Sequence, residues 1–404
     1  MYIYNIILFI VTLLIASTQA TAKEYATYTL IDGTSQAGKL VAMTMGETIR
    51  FDTASGTIDI DWSSLLHWGK YENSQQTPRL CLTDGSILVA EPVEIVSKEC
   101  VALSPLLGKL KVPRTDIVEI IFFEQETPVV NFDDSQSFPG EPSEGGTTTH
   151  SLTLLNGDRV QGKIESWNQE RLVLETDVGP LSLETTSVAS ILFPTAAEGI
   201  ATSRKPSKLP VVGLTDGSLL HVSKLSVNNE SASFLFYSTT IRCESQQVIY
   251  LQRVDPRVTF VSDLPVISYR NIPFLSLSWP YRLDQNVLGS SLRCNGRAFQ
   301  KGVGVHSACR LTYATPEKAT LLIGKVGMDD RSQGEGSSRF RVFVDRGLGK
   351  WEESYTSPVV RSNQIPESFS VDVSDVKQIS LLVEYADRAD VRDYANWLDL
   401  RFVQ

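Results

Sequence analysis

Ser151-Leu-Thr-Leu-Leu-Asn-Gly157 opens a passage that continues as Arg159-Val-Gln-Gly162, Arg171-Leu-Val-Leu174, Leu181-Ser-Leu183 and Val188-Ala-Ser-Ile-Leu-Phe193. Apolar residues recur at every second position, and polar or turn residues break each run after a few steps. That period belongs to half-buried strands, because successive side chains of a strand point to opposite faces. The Asn-Gly pair closes the first run. This dipeptide tolerates positive φ, so the passage is expected to begin with a hairpin on a two-residue turn.

The same signature occurs three more times, in Tyr28-Thr-Leu-Ile-Asp-Gly33, Arg79-Leu-Cys-Leu-Thr-Asp-Gly85 and Val211-Val-Gly-Leu-Thr-Asp-Gly217. The endings also correspond: Leu65-Leu-His-Trp68, Ile117-Val-Glu-Ile-Ile-Phe122 and Val248-Ile-Tyr-Leu251 match Val188 to Phe193. The expected organisation is two β repeats in 25–123, a third in 150–194 and a fourth in 210–256. Each would be a small strongly bent sheet or SH3-like barrel, and neighbouring copies could share a core. The segment 124–149 carries Glu124, Glu126, Asp133, Asp134, Glu141 and Glu144 among Pro, Gly and Ser, and no Lys or Arg. Too little apolar surface is present to offset chain entropy, so an acidic disordered linker is expected there, with a shorter linker at 195–209. The repeats hold no Ser/His/Asp set and no carboxylates beside a His, which makes them a spacer or a surface for partner proteins.

The chain has 404 residues, with 37 Lys and Arg against 47 Asp and Glu, a formal charge of −10. A dispersed acidic balance argues against a nucleic-acid partner, since phosphate backbones select positive surfaces. CxxC, HExxH, Walker A and strand-to-helix Gly-x-Gly-x-x-Gly patterns are missing, which removes the usual zinc and nucleotide sites. At the amino terminus, Ile6 to Ala16 is an apolar run too short to span a membrane. Ala20-Thr21-Ala22 follows it with small residues where a signal peptidase reads. A signal peptide over 1–22 is expected, although residues 2–5 carry no Lys or Arg, and the alternative is an uncleaved anchor. Export would place the protein in an extracellular, periplasmic or cell-surface setting. Such a setting permits disulfides, with Cys81/Cys100 and Cys294/Cys309 as the near pairs, or else leaves Cys81, Cys100, Cys243, Cys294 and Cys309 as small buried hydrophobes.

The texture changes near Leu264. Val303 and Val305 share one strand face, and Gly302, Gly304 and His306 the other, so a backbone or a ligand could come close on the glycine side. Phe340, Val342 and Val344 alternate with Arg339, Arg341 and Phe343. In the last strand Leu398, Leu400 and Phe402 are expected on one face, and Trp397, Asp399 and Arg401 on the other. Periods of two without an amphipathic helix give a β-sandwich over 265–404, so the whole chain is expected to be all-β.

Four strings within this part carry a resemblance: Lys301-Gly-Val-Gly-Val-His306, Val326-Gly-Met-Asp-Asp330, Phe340-Arg-Val-Phe-Val-Asp345 and Asp393-Tyr-Ala-Asn-Trp397. In this order they resemble the NPCBM family of carbohydrate-binding modules, found on secreted glycoside hydrolases including family 98. The resemblance covers about Pro273 to Gln404. It implies a jelly-roll sandwich that binds sugars, often near a bound calcium. The family usually ends in Asp-His-x-Asp-Trp; here Tyr394 stands for the His and Asn396 for the second Asp.

A sugar needs an aromatic platform for its C–H patch and planar polar groups for its hydroxyls. His306, Asp393, Asn396 and Trp397 are the expected set, placed at the rim of the sandwich. The alternative for His306 is a buried ring satisfying a backbone carbonyl, and for Trp397 it is core packing. Asp329 and Asp330, just before Gly334-Glu-Gly336, are the expected Ca²⁺ ligands, with Glu335 and Asp345 as further oxygen donors. Their alternative is an Asp-rich turn capping its own amides. The function expected is that of a secreted, non-catalytic glycan-binding protein. A structural or adhesive protein without sugar affinity and an uncharacterised glycosidase are the alternatives; hydrolysis would need an acid/base carboxylate pair in a cleft, such as Asp329 with Asp393.

Overall fold

The computed structural model describes residues 26–71, 76–95, 98–123, 149–168, 170–194, 207–274 and 278–404. The expected signal peptide, the acidic linker to residue 148 and residues 195–206 lie outside them. Strands and short 3-10 turns make up the regular structure throughout, so the chain is all-β. Among the described residues no helix is long and apolar enough to cross a membrane.

The four Asp-Gly or Asn-Gly signatures each make the same turn. In the first, Gly33 N–H donates to the Leu30 carbonyl (3.0 Å), and Leu30 N–H to the Thr34 carbonyl (2.8 Å). Asp32 Oδ1 accepts from Thr34 N–H at 2.8 Å. In the other three, Asp84, Asn156 and Asp216 accept in the same way from the backbone N–H groups of Ser86, Asp158 and Ser218. Only the glycines take positive φ, between +88° and +92°, while the preceding Asp or Asn does not. The turn is therefore the longer loop that ends in a left-handed glycine and a bulge, not the expected two-residue turn, in which both central residues need positive φ. The Asx side chain supplies the acceptor that makes the loop fold locally.

After each turn the same order follows, with a 3-10 turn before the last strand: Trp62–Ser64 before Leu65–Gly69, Arg114–Asp116 before Ile117–Ile121, Thr185–Ser187 before Val188–Leu192, and Ser245–Gln247 before Val248–Gln252. Those last strands join the units, though not in chain order. Ile117–Ile121 pairs antiparallel with Val188–Leu192 through Ile120 and Ile191. Val248–Gln252 pairs with Leu65–Gly69 through Leu251 and Trp68. Leu219 opposite Ile87 links the two pairs. An unpaired edge strand exposes a row of N–H and C=O groups, and this pairing between units covers those edges while merging the interiors into one cluster that includes Phe51, Trp68, Ile120, Ile191, Phe234 and Leu251.

The C-terminal part is a sandwich of two antiparallel sheets. One runs in the order Arg282–Leu283, Gly302–His306, Tyr394–Val403, Leu321–Met328, Glu367–Asp372, and the other in the order Val266–Asn271, Cys309–Ala314, Gln378–Tyr385, Ser337–Asp345, Glu352–Thr356. Val258–Phe260 adds to Tyr394–Val403 through Val258 opposite Val403, so the unit begins before the expected residue 265. Val303, Val305, Phe340, Val342, Leu381 and Trp397 fill the space between the sheets.

The last strand departs from the expected alternation. Its register against Leu321–Met328 slips, with Ile323 opposite Arg401 but Lys325 opposite Leu398. Asp399 takes φ +48° at this point. The extra residue of the bulge reverses which face every later side chain meets. Trp397, Leu400 and Phe402 thus share the main core. Leu398 instead joins Leu292, Cys294 and Phe299 on the outer side, beneath the hairpin Leu292–Cys294/Arg297–Phe299. All five cysteines are free thiols, with Cys100, Cys294 and Cys309 buried.

Candidate functional site

His306 ends the strand Gly302–His306 and lies opposite Tyr394, the first residue of the strand Tyr394–Val403. Its ring is 3% exposed, and Nδ1–H donates to the Ser307 carbonyl at 2.7 Å. Burial lowers its pKa, which keeps the ring neutral. The indole of Trp279 lies flat on this ring, with centroids 4.4 Å apart and planes 3° from parallel. Tyr394 meets both edge-on, at 5.8 Å from each. Trp279 and Tyr394 are half-buried, so this three-ring stack reaches the surface where His306 does not.

The segment that carries Trp279 is held at several points. Asn271 Oδ1 accepts from the Trp279 backbone N–H at 3.0 Å, and its Nδ2 donates to the Ala308 carbonyl at 3.0 Å. Tyr269 donates its hydroxyl to the Trp279 carbonyl at 2.6 Å. A sequence signal for Trp279 existed in Ser278-Trp279-Pro280-Tyr281, an aromatic pair around a proline outside any alternating run. No periodicity singles it out, because a loop residue has no repeating face.

The residues expected at the rim sit elsewhere. Trp397 is 0% exposed and packs edge-on against Phe340 (5.1 Å) and Phe369 (5.8 Å). It is a core residue, and it cannot serve as a saccharide platform. Asn396 and Asp393 are also fully buried. Asp393 accepts from Ser307 Oγ–H at 2.6 Å and Ser337 N–H at 2.8 Å, tying together the entries of two strands. Burial pushes its carboxyl up to about 6, against those two hydrogen bonds. Asn396 faces outward from the sheet but is roofed by the segment that follows Leu283. The glycines of Lys301-Gly-Val-Gly-Val-His306 permit that roof: a Cβ on Gly304 would lie 2.3 Å from the Gln285 carbonyl oxygen. The close approach read from these glycines is therefore made by backbone, not by a ligand.

The expected calcium site does not fit its residues. Asp329 is fully buried. Its Oδ1 accepts from Asn286 Nδ2 (3.1 Å) and Arg331 N–H (3.0 Å). Its Oδ2 accepts from Asn396 Nδ2 (2.8 Å) and Arg293 N–H (3.3 Å). Each oxygen is thus occupied by donors that a cation would have to displace. Burial raises the Asp329 pKa, and these hydrogen bonds oppose it. Asp330 turns away to accept from Gly296 N–H at 3.1 Å. Glu335 pairs with Arg392, and Asp345 caps Gly347 and Leu348. Among the described residues no group of three His, Cys, Asp or Glu side chains is placed to hold a metal. The two carboxylates pin the hairpin roof and cap the 3-10 turn Asp330–Ser332.

The stack can offer an aromatic surface for C–H groups. Around it lie the charged residues of the loop between Tyr385 and Asp393, among them Asp390, which acts electrostatically on both His306 and Asp393.

Among curated proteins, an alpha-1,3-galactosidase B from Akkermansia muciniphila is 32% identical over 123 residues, which is 30% of this chain and 15% of that enzyme. The chain thus matches only a small part of that relative's length. Among solved structures, the CBM51-2 and INT domains of Clostridium perfringens ZmpB are 24% identical with a TM-score of 0.33, covering 48% of this chain and 43% of that one. CBM51 from Clostridium perfringens GH95, in complex with methyl-galactose, is 17% identical with a TM-score of 0.32, covering 36% of this chain and 99% of that one. The profile of one family, the NPCBM/NEW2 domain, matches residues 257–403, the span that opens just before the strand Val258–Phe260 and closes the sandwich; this C-terminal third of the chain is an NPCBM/NEW2 domain.

Proposed function

We propose that the protein is an exported glycan-binding protein whose C-terminal domain holds a neutral saccharide against Trp279, without hydrolysing it. The observation that carries this reading is the stack of Trp279 on His306: a half-buried indole, supported flat from behind, keeps its exposed part rigid for the C–H face of a sugar. The family match supports a carbohydrate-binding module. The galactosidase relative makes galactosides the first probes to try. Binding without turnover is favoured because Asp329 and Asp393 are both buried and engaged by hydrogen-bond donors, not open to a cleft. A glycan array probed with the whole protein tests the proposal. We expect a defined set of galactose-containing ligands, retained by the wild type and lost in Trp279→Ala. An array with no ligand would favour a structural role, and release of reducing ends from a bound glycan would make the protein a glycosidase.

A further inference from the structure

The outer face of the second sheet carries a feature that the Trp279 site does not use. Arg270 and Arg310 occupy directly paired positions on neighbouring strands, Val266–Asn271 and Cys309–Ala314. Leu382 and then Arg341 continue the same row across the sheet. Like charges placed opposite each other on one sheet face repel, and proteins normally offset them with carboxylates. Arg341 shows that compensation, with Glu353 at 2.8 Å and Glu384 at 2.9 Å. Arg270 and Arg310 do not: among the described residues neither forms an ion pair with a carboxylate. Arg310 is instead fixed in place. Its Nε donates to Ser380 Oγ at 2.6 Å, and its guanidinium lies 4.8 Å from the centroid of the Trp351 ring.

These two arginines line a cavity of about 320 Å³ together with Ala308, Phe343, Trp351 and Leu382. That volume lies at the lower end of the range that small ligands occupy, roughly 300–1,000 Å³. Its wall is mostly apolar with cationic groups at one side. A neutral sugar would leave the guanidinium pair uncompensated, and a bare anion would leave the two aromatic rings unused. We propose that this cavity is a second binding site, for an acidic saccharide, with a carboxylate or sulfate ester held between Arg270 and Arg310 and the sugar ring against Trp351 and Phe343. Guanidinium groups suit both anions through paired N–H donors. The site shares no residue with the stack of His306, Trp279 and Tyr394, so it holds or fails independently of the neutral-sugar site.

The test titrates the whole protein with methyl glucuronide, galactose 6-sulfate, methyl galactoside and inorganic sulfate, following the Trp351 indole N–H by NMR. The two acidic sugars are expected to shift that resonance, and their order separates a carboxylate ligand from a sulfate one. Arg270→Gln with Arg310→Gln should weaken the acidic sugars at least about tenfold, and Trp279→Ala should leave them unchanged. Higher salt should weaken them as well, since the pair is partly open to solvent. Both arginine changes lie on the outer face of the sheet, and an unaltered melting temperature verifies that the fold is kept. The proposal is overturned if neither acidic sugar perturbs Trp351, if the double variant binds them as the wild type does, or if inorganic sulfate alone binds as tightly as the sulfated sugar.

Discussion

Two tryptophans of the NPCBM/NEW2 domain divide between them what one was expected to do. Trp397 sits at the centre of the sandwich against Phe340 and Phe369, while Trp279 lies flat on His306 with part of its ring in solvent. Removing a large ring from a sealed core costs the lost burial and leaves a cavity, about 3–5 kcal/mol for Trp→Ala. Urea unfolding should therefore place Trp397→Ala far below the wild type. Trp279→Ala, which abolishes the proposed binding, should stay within about 1.5 kcal/mol because its ring is only half-buried. The strand identity of Trp397 was legible from the alternation around it. Its facing was not, because the bulge at Asp399 arises from a left-handed backbone that a polar residue between two leucines does not announce. Asp329 and Asp393 likewise stood out as a chemical type, but apart from the local bond from Arg331 N–H to Asp329 their use as buried acceptors follows from partners 36 to 86 residues away in sequence.

At the scale of elements, glycine patterns turn out to record where backbone and hairpin close over a sheet. Val326-Gly-Met-Asp-Asp330 places Gly327 beneath the hairpin, where an added Cβ would lie 2.4 Å from Cys294 Sγ. Gly327→Ala should cost about 1–3 kcal/mol by overpacking. Cys294→Ala should recover part of that loss, so a double-mutant cycle measured by chemical denaturation should show a favourable coupling between the two sites. Additive effects would mean that the hairpin does not press on this strand. The turn signatures tell a related story. Asp-Gly and Asn-Gly marked four hairpins in the sequence, and the Asx acceptor with the left-handed glycine explains why each turn forms locally. The exact loop was beyond such a reading, because turns of both kinds use the same dipeptide and differ only in how the strands leave them.

At the scale of the whole molecule, the β units and the C-terminal sandwich meet at a small apolar cluster of Ile31, Leu66 and Val403, packed by Val258, Phe260 and Ile323. His67 adjoins this cluster, 4.0 Å from Asp399. Burial lowers its pKa to about 4; Asp399 opposes that shift, and Lys325, Arg401 and Arg297 add to it. A histidine held below its unfolded value is neutral in the native protein, so acidification favours the unfolded chain, which takes up the proton first. Stability should fall as pH drops from about 6.5 to about 4, with His67 contributing on the order of 3 kcal/mol. His67→Gln should flatten that part of the stability profile measured by denaturant melts between pH 7 and pH 4. A profile identical to the wild type would place the acid sensitivity elsewhere. By itself the sequence determined the all-β class, the recurring turn-and-strand units and the presence of an NPCBM-type sandwich, since these rest on local alternation, turn chemistry and short motifs that neighbouring residues suffice to specify. Only the tertiary structure decided which units pair along their edge strands, that the motif aspartates serve the framework, and that Trp279 rather than Trp397 reaches the surface. Those outcomes depend on strand register and on contacts between distant segments, and a period of two carries no information about either.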